Sequence, residues 1–123
     1  MTTVLLVDDD EISNCEVRKS LKSIGCAVVE VIALEDAVRA VQVKRPDLLI
    51  MDLFLPERAG LLLLRNLHQE YPNMGIIAMT GESGITKIDY HRLAMDCGAH
   101  GVLTKPFPRI DLISMANDVL GEL

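Results

Sequence analysis

Leu48-Leu49-Ile50-Met51-Asp52-Leu53-Phe54-Leu55-Pro56 is the stretch that decides the fold of this chain. Four apolar residues lead into an aspartate, and a proline follows four positions later. A short unbroken apolar run is typical of a strand that is buried on both faces inside a parallel sheet. Carboxylates are seldom buried without a partner, but in open α/β sheets the functional crevice lies beyond the carboxyl ends of the strands. Asp52 is therefore the first candidate for a functional residue.

Four further apolar runs alternate with segments of helical periodicity. The predicted strands are 4–7, 27–31, 48–51, 76–79 and 102–104. The predicted helices are about 12–24, a helix that starts at 34 and is terminated by Pro46, 60–71 and 109–120. A loop and a further helix are predicted within 82–97. Strict alternation with short connections requires right-handed crossovers and a parallel sheet with helices on both faces. The length of 123 residues favours the five-stranded order 2-1-3-4-5. We predict one α/β domain over 1–123, doubly wound and flavodoxin-like, with a (βα)5 arrangement.

The composition excludes several classes of protein. Half of the residues are apolar and 24% are charged, which indicates a globular chain. A net charge of −6 and an aromatic content of 3% argue against direct nucleic acid binding, either through phosphates or by base stacking. No apolar stretch approaches the roughly 20 residues of a membrane span. The three cysteines lack C-x-x-C spacing, so we expect reduced thiols and a soluble cytoplasmic protein without a membrane partner.

The predicted strand order brings several polar side chains to one edge of the sheet. Strands 1 and 3 are neighbours in it, so Asp8, Asp9 and Asp52 share one crevice, bordered by Thr80 and Lys105 at the ends of strands 4 and 5. Three crowded carboxylates repel one another unless a cation joins them. Oxygen ligands without histidine or cysteine suit Mg²⁺, for which Mn²⁺ could substitute.

The same residues form the parts of a phosphoryl-acceptor site. Asp52 supplies a carboxylate nucleophile, and a divalent ion would lie beside it. The Lys105 ammonium can neutralise a transferred phosphoryl group as a point charge, and Thr80 offers a hydroxyl donor to a phosphoryl oxygen. Phosphoryl transfer to Asp52 is the chemistry that this set predicts.

The motifs that carry these residues resemble the response-regulator receiver domain of two-component signalling. They are Val7-Asp8-Asp9-Asp10, Met51-Asp52 with Pro56 and Gly60, Met79-Thr80-Gly81, and Leu103-Thr104-Lys105-Pro106-Phe107, which follow one another in order along the whole chain. The resemblance implies a receiver fold and a phosphoprotein of two-component or phosphorelay signal transduction. It also implies that the domain is not an enzyme beyond its own aspartyl phosphorylation and dephosphorylation.

The resemblance further implies a role for each matching position. Asp52 would take a phosphoryl group from a phosphohistidine on a sensor histidine kinase or a histidine phosphotransfer protein. Asp9 would bind Mg²⁺ directly, Asp8 through water, and the backbone carbonyl of Phe54 would complete the protein's share of the ligands. Thr80 would be the switch hydroxyl and Lys105 the phosphoryl-binding lysine, with a cis peptide bond before the proline that follows. The downstream protein partner would bind the face of the fourth helix, fifth strand and fifth helix.

Three features depart from the family pattern. Val102 occupies a position where the family usually carries tyrosine or phenylalanine, and we expect weaker or differently wired coupling of Thr80 to the partner face, since valine is small and stiff. Phe54 cannot orient an attacking water, so we expect slow autodephosphorylation. The span from Thr80 to Gly98 is about three residues longer than is usual in the family, and we place the extra residues at 83–85.

Two other functions remain open at this stage. An aspartate-nucleophile phosphatase also begins with a D-x-D motif after the first strand, which Asp8 and Asp10 match, but Asp52 and Lys105 would then be unexplained. A receiver-like scaffold that acts without phosphorylation is the other alternative, although such a scaffold is expected to lack one of the acidic residues, Thr80 or the lysine. The three histidines have no spacing that suggests a metal or catalytic pair, and we expect them on the surface.

Overall fold

A computed structural model describes residues 1–53, 60–81 and 89–121. Five strands alternate with five helices in it, as the sequence predicts. The strands are β1 Thr3–Val7, β2 Ala27–Val31, β3 Leu48–Asp52, β4 Gly75–Thr80 and β5 Gly101–Thr104, and the helices are α1 Glu11–Ser23, α2 Leu34–Lys44, α3 Gly60–Glu70, α4 Tyr90–Cys97 and α5 Arg109–Gly121. Within the described ranges no helix is long and apolar enough to cross a membrane.

The strands form one parallel sheet in the order β2-β1-β3-β4-β5, which confirms the predicted fold. Its register fixes which residues meet at the carboxyl edge. Val7 pairs with Met51, so the residues that follow them leave adjacent strands at the same height. Asp52 pairs with Met79 on the next strand, and Thr80 pairs with Thr104 beyond it. The functional candidates therefore come together because of the strand order.

The core lies in two layers because successive side chains of a buried strand point to opposite faces of the sheet. Leu5, Val7, Leu49 and Met51 pack with residues of α2, α3 and α4 on one face. The alternate residues of the same strands pack with α1 and α5 on the other, among them Val4, Leu6, Leu48 and Ile50. All five residues of β3 are buried, as expected of its unbroken apolar run.

Helix α1 begins directly beside the predicted site. The Asp10 side chain caps its N-terminus by accepting from the backbone N–H groups of Ile12 and Ser13. Satisfying these free donors is the usual role of aspartate at this position and fixes where the helix starts. The turn from β1 to α1 is therefore short and tightly held.

The prediction that all three histidines lie on the surface is wrong for two of them. His91 is exposed, but His68 and His100 are partly buried, with their rings 6.1 Å apart edge to face between α3 and the start of β5. His100 Nδ1 accepts from the N–H of Ile76 at 3.1 Å, and His100 N donates to Ile76 O at 2.8 Å. The ring thus continues the β4–β5 ladder where the chain turns at Gly98, which adopts a φ of 117°.

Candidate functional site

Three carboxylates converge at the carboxyl edge of the sheet. Asp8 follows β1, Asp9 comes next in the turn to α1, and Asp52 ends β3. One carboxylate oxygen from each lies within 4.8 Å of the others. Asp8 and Asp52 are buried, at 0% and 8% exposure, whereas Asp9 is open to solvent. Among the described residues, Asp9 is therefore the carboxylate of this cluster that faces solvent.

Lys105 reaches into this cluster from the segment after β5. Its ammonium nitrogen lies 2.5 Å from Asp8 Oδ2 and 2.9 Å from Asp52 Oδ2. Both contacts are charge-assisted hydrogen bonds, which are stronger than neutral ones. They join positions 97 and 53 residues apart in sequence. One side chain thus ties the ends of β1 and β3 to the segment that follows β5.

Asp8 is held through both of its carboxylate oxygens and through its main chain. Its Oδ2 accepts from Lys105, and its Oδ1 accepts from the N–H of Asp10 at 3.0 Å. Its backbone carbonyl accepts from Asn14 Nδ2 at 2.8 Å, across the first turn of α1. These contacts restrain both the carboxylate and the main chain of Asp8, and they position the neighbouring Asp9.

Thr80 ends β4 on the other side of Asp52. It is 6% exposed, and its carbonyl oxygen accepts from the backbone N–H of Lys105 at 2.7 Å. This hydrogen bond couples the main chain at Thr80 to the main chain at Lys105, so a movement of one displaces the other. The Lys105–Pro106 peptide bond is cis, as the resemblance implies.

The electrostatics of the cluster are dominated by burial. Loss of solvation raises the pKa of Asp8, and the hydrogen bonds from Lys105 and the Asp10 N–H only partly oppose that effect. For Lys105 burial acts to lower the pKa, but the hydrogen bonds to Asp8 and Asp52 outweigh it, so the pKa of the lysine is raised. The lysine therefore stays charged, while the Asp8 carboxylate is not fully compensated.

The chemistry of this donor set fits a divalent cation. Three carboxylates and one ammonium leave an excess of two negative charges, which one divalent ion would neutralise. The candidate ligand atoms are all carboxylate oxygens. Mg²⁺ is usually bound by one or two carboxylates and keeps several of its water ligands. Asp8, Asp9 and Asp52 are the described residues that could hold it.

The sequence predicted most of this arrangement. It identified Asp8, Asp9, Asp52 and Lys105, which the structure brings together, and it placed Thr80 beside them at the end of β4. The prediction that the Phe54 carbonyl is a metal ligand, like the prediction of extra residues at 83–85, concerns positions outside the described residues.

Asn14, which contacts the main chain of Asp8, was not predicted from the sequence. A signal for it exists, since Asn14 stands three and seven residues before Val17 and Leu21 and so belongs to the buried stripe of α1. A polar side chain on an otherwise apolar stripe indicates a specific partner inside the fold.

Comparisons with known proteins agree with the geometry. The family model of the response regulator receiver domain matches residues 4–117. The KDP operon transcriptional regulatory protein KdpE of Escherichia coli is 35% identical over 109 residues, which cover 87% of this chain and 46% of that protein. The autoinducer 1 sensor kinase/phosphatase LuxN of Vibrio campbellii is 32% identical over 104 residues, which cover 85% of this chain and 12% of that protein. The chain thus spans less than half the length of either relative.

A solved structure shows the same architecture over nearly its whole length. The receiver domain of NtrX from Brucella abortus superposes with a TM-score of 0.88 at 25% identity, and the match covers 98% of this chain and 99% of that one. The arrangement of strands and helices is therefore shared with a receiver domain from end to end.

Proposed function

This chain belongs to the response regulator receiver domain family, and on that premise we propose that Asp52 accepts a phosphoryl group from a phosphohistidine in a Mg²⁺-dependent reaction. The donor is a sensor histidine kinase or a histidine phosphotransfer protein. The acquired phosphoryl group then shifts the equilibrium between two conformational states of the chain, and a protein partner binds one state in preference to the other.

One observation carries the proposal, namely the meeting of Asp52 with Lys105 and two further carboxylates. The Asp52 carboxylate lies at the sheet edge within hydrogen-bond distance of a lysine that also contacts Asp8. A purely structural ion pair requires one carboxylate for one ammonium. Here one ammonium contacts two carboxylates, and an oxygen of a third carboxylate lies within 4.8 Å of theirs, so the carboxylates outnumber the ammonium and the site suits a metal ion together with a phosphoryl group.

The transfer requires one bond to break and one to form. An oxygen of Asp52 attacks phosphorus in line with the scissile N–P bond, a P–O bond forms, and the departing imidazole nitrogen keeps the electron pair and takes up a proton. Lys105, already 2.9 Å from Asp52, neutralises charge on the transferred group. When bound at the acidic cluster, Mg²⁺ supplies further neutralisation of the phosphoryl oxygens. The product is an acyl phosphate on Asp52, and the chain turns over no separate substrate.

Asp8 and Asp9 hold the metal ion, and Thr80 donates its hydroxyl to a phosphoryl oxygen. Thr80 and Lys105 are linked through their backbones at 2.7 Å, so attraction of either side chain towards the phosphoryl group moves both segments. These segments lead into α4 and α5. Leu93 and Met95 of α4 are partly exposed, at 39% and 41%, and belong to the face of α4, β5 and α5 that we assign to the downstream partner.

The setting of this activity is the cytoplasm, where histidine kinases present their phosphohistidine. No direct contact of this domain with nucleic acid is proposed, because the net charge of −6 opposes approach to phosphates. Residues 1–123 act as one receiver domain in this proposal.

The test is phosphorylation by a small acyl phosphate, followed by intact-protein mass spectrometry. In the presence of Mg²⁺ we expect the wild-type chain to gain the mass of one phosphoryl group, and chelation of the metal to abolish the gain. Hydroxylamine should remove the label, because acyl phosphates are cleaved by this nucleophile whereas phosphate esters are not.

Asp52→Asn is the decisive variant, since it keeps the shape of the side chain and removes the nucleophile. Labelling that survives in Asp52→Asn and disappears in Asp8→Asn would contradict the proposal and favour the phosphatase-like alternative. A chain that is never labelled, but whose partner still binds, would favour the phosphorylation-independent scaffold.

A further inference from the structure

A buried amide on α1 contacts the main chain of the acidic turn. Asn14 is 5% exposed, and its Nδ2 donates to the carbonyl oxygen of Asp8 at 2.8 Å. Its own backbone N–H donates to Asp10 O at 2.9 Å, so the residue is fixed in the first turn of the helix. The side chain therefore spans from α1 back to Asp8, the residue that directly follows β1 and begins the acidic turn.

The other end of this amide, Asn14 Oδ1, is buried and has no hydrogen-bond partner among the described residues. An unsatisfied buried acceptor carries a desolvation cost, so an amide is an expensive choice for packing at this position. Val17 and Leu21, on the same stripe of α1, are apolar and buried, and a leucine, which branches at Cγ as asparagine does, would occupy the place of Asn14 without that desolvation cost. The hydrogen bond to Asp8 is the feature that leucine would lack.

The consequence of that bond falls on the acidic cluster. Asp8 and Asp9 are consecutive, so the position of the Asp8 peptide group sets where the exposed Asp9 carboxylate can reach. The Asp8 carboxylate is restrained separately by Lys105 and the Asp10 N–H. Without Asn14 the carbonyl of Asp8 would lose its described side-chain donor, and with it the contact that orients the Asp8–Asp9 peptide plane from α1.

We propose that Asn14 is a positioning residue for the divalent cation, which holds the Asp8-Asp9 turn in its ligating arrangement at a cost in the stability of the metal-free fold. The inference rests on the proposed Mg²⁺ site. Residues that orient metal ligands typically account for about 10- to 100-fold in metal affinity. We therefore expect Asn14 to affect ion binding far more than it affects folding.

The experiment compares wild type with Asn14→Leu in two measurements. Isothermal titration calorimetry with MgCl₂ should give a dissociation constant about tenfold higher for Asn14→Leu than for wild type. The thermal unfolding midpoint in excess EDTA should be equal to or higher than that of wild type, because the variant removes an unsatisfied buried acceptor. A variant that merely damages the fold would lower the midpoint, which separates the two explanations.

Ser20→Ala is the matched control on the same helix. Ser20 is also 5% exposed and polar, but its hydroxyl donates within α1 to Glu16 O and does not contact the acidic turn. This variant should leave the Mg²⁺ dissociation constant unchanged.

A measurement on the wild-type chain keeps the proposal testable even if Asn14→Leu fails to fold. In an NMR titration with MgCl₂, the side-chain amide resonances of Asn14 should shift to saturation, while those of the exposed Asn117 on α5 should not. Wild-type binding with an unmoved Asn14 resonance, or equal dissociation constants for wild type and Asn14→Leu, would overturn the inference. Absence of Mg²⁺ binding by wild type would instead contradict the proposed metal site.

Discussion

At the scale of single residues, Asp8 is where folding and chemistry oppose each other. Burial raises the pKa of its carboxyl, which means that folding penalises the ionised form. A carboxyl whose pKa in the folded state lies above its unfolded value lowers stability at neutral pH, and this loss disappears as the pH falls below the ordinary value of 3.8. The proposed phosphoryl transfer uses this carboxylate as a cation ligand, which gives a reason for the instability to be retained.

Asp8→Asn should therefore raise the unfolding midpoint of the metal-free chain at pH 7. The amide keeps the shape of the carboxylate and removes its buried charge, while Lys105 retains its contact with Asp52. The gain should shrink as the pH is lowered towards 4, because Asp8 then becomes protonated in wild type as well. Thermal unfolding in EDTA at several pH values measures this, and a gain that grows on acidification would contradict the sign of the shift.

The residues that the sequence could and could not reveal differ in what fixes them. Asp52 and Lys105 were predictable because each follows an apolar run, and the strand order then brings them together. Asn14 and His100 escaped because their importance lies in single contacts, one to a carbonyl six residues back and one to a strand 24 residues away. Neither contact changes the periodicity from which a helix or strand is predicted.

At the scale of elements, the start of α3 is set by a close approach to the end of β3. A Cβ built on Gly60 would lie 2.9 Å from both Cα and O of Leu53. Both are backbone atoms, so the neighbour cannot rotate away. Leu53 directly follows Asp52, and a shift there would reach the proposed phosphoacceptor.

Gly60→Ala should destabilise the fold by about 1–3 kcal/mol, the usual cost of forcing extra volume into a packed site. The matched control is Gly121→Ala at the end of α5, where nothing lies within 4 Å of the added Cβ. That variant should be neutral or slightly stabilising, because alanine is the better helix former. Urea unfolding of both variants measures the difference, and equal midpoints for the two would show that the contact at Leu53 is easily relieved.

Just before β5, the side chain of His100 supplies the hydrogen-bond acceptor for a main-chain N–H of β4, a role that a main-chain carbonyl usually has in a sheet. Ile76 is fully buried, and its N–H donates to the imidazole of His100. His100→Ala should cost about 1–3 kcal/mol, because it leaves a buried donor without its acceptor. His100→Asn should restore part of the loss, since its side-chain oxygen takes the place of Nδ1. Urea unfolding measures both variants, and His91→Ala on the exposed face of α4 serves as the control; a loss as large in that control would refute the assignment.

The elements themselves were the most predictable part of the molecule. Each strand is a short apolar run, and the buried ones lie within one residue of the predicted bounds, because such a run has few alternative placements in a parallel sheet. The helices followed from apolar spacing and from stops such as Gly98. The start of α4 could not be predicted as closely, because no periodic apolar stripe marks where a helix begins after Thr80.

At the scale of the whole molecule, β5 connects the proposed phosphoacceptor site to the proposed partner face. Val102 is 8% exposed and packs in the core layer that also contains Ala94 of α4. A small, stiff side chain at this point offers little volume to exchange between two states. We therefore expect beryllofluoride, which mimics the phosphoryl group, to change amide hydrogen exchange in α4 only slightly in wild type.

Val102→Tyr should enlarge that change in α4, because an aromatic ring can occupy two positions as Thr80 moves. Val102→Ile adds volume without an aromatic ring and should behave as wild type does. Hydrogen exchange of all three proteins, with and without beryllofluoride, gives the comparison. The coupling role of this position would be refuted by equal responses of the tyrosine variant and wild type.

Lys105 and the proposed divalent cation would stabilise the same carboxylates, and this overlap gives a prediction for the molecule as a unit. The lysine ties the end of β1 to the end of β3 and to the segment after β5, so it joins the first and last strands of the chain.

Lys105→Met preserves most of the side-chain volume and removes the charge. In EDTA it should lower the free energy of unfolding by up to about 3 kcal/mol, because it leaves buried carboxylates without their cation. In saturating Mg²⁺ the gap to wild type should narrow, since the ion then neutralises Asp8 and Asp52 in both proteins. Urea unfolding of both proteins under the two conditions measures how much Mg²⁺ changes the stability difference between Lys105→Met and wild type. A gap that is equal with and without Mg²⁺ would mean that lysine and ion act on separate charges, and the acidic cluster would not be the place where this fold binds its metal.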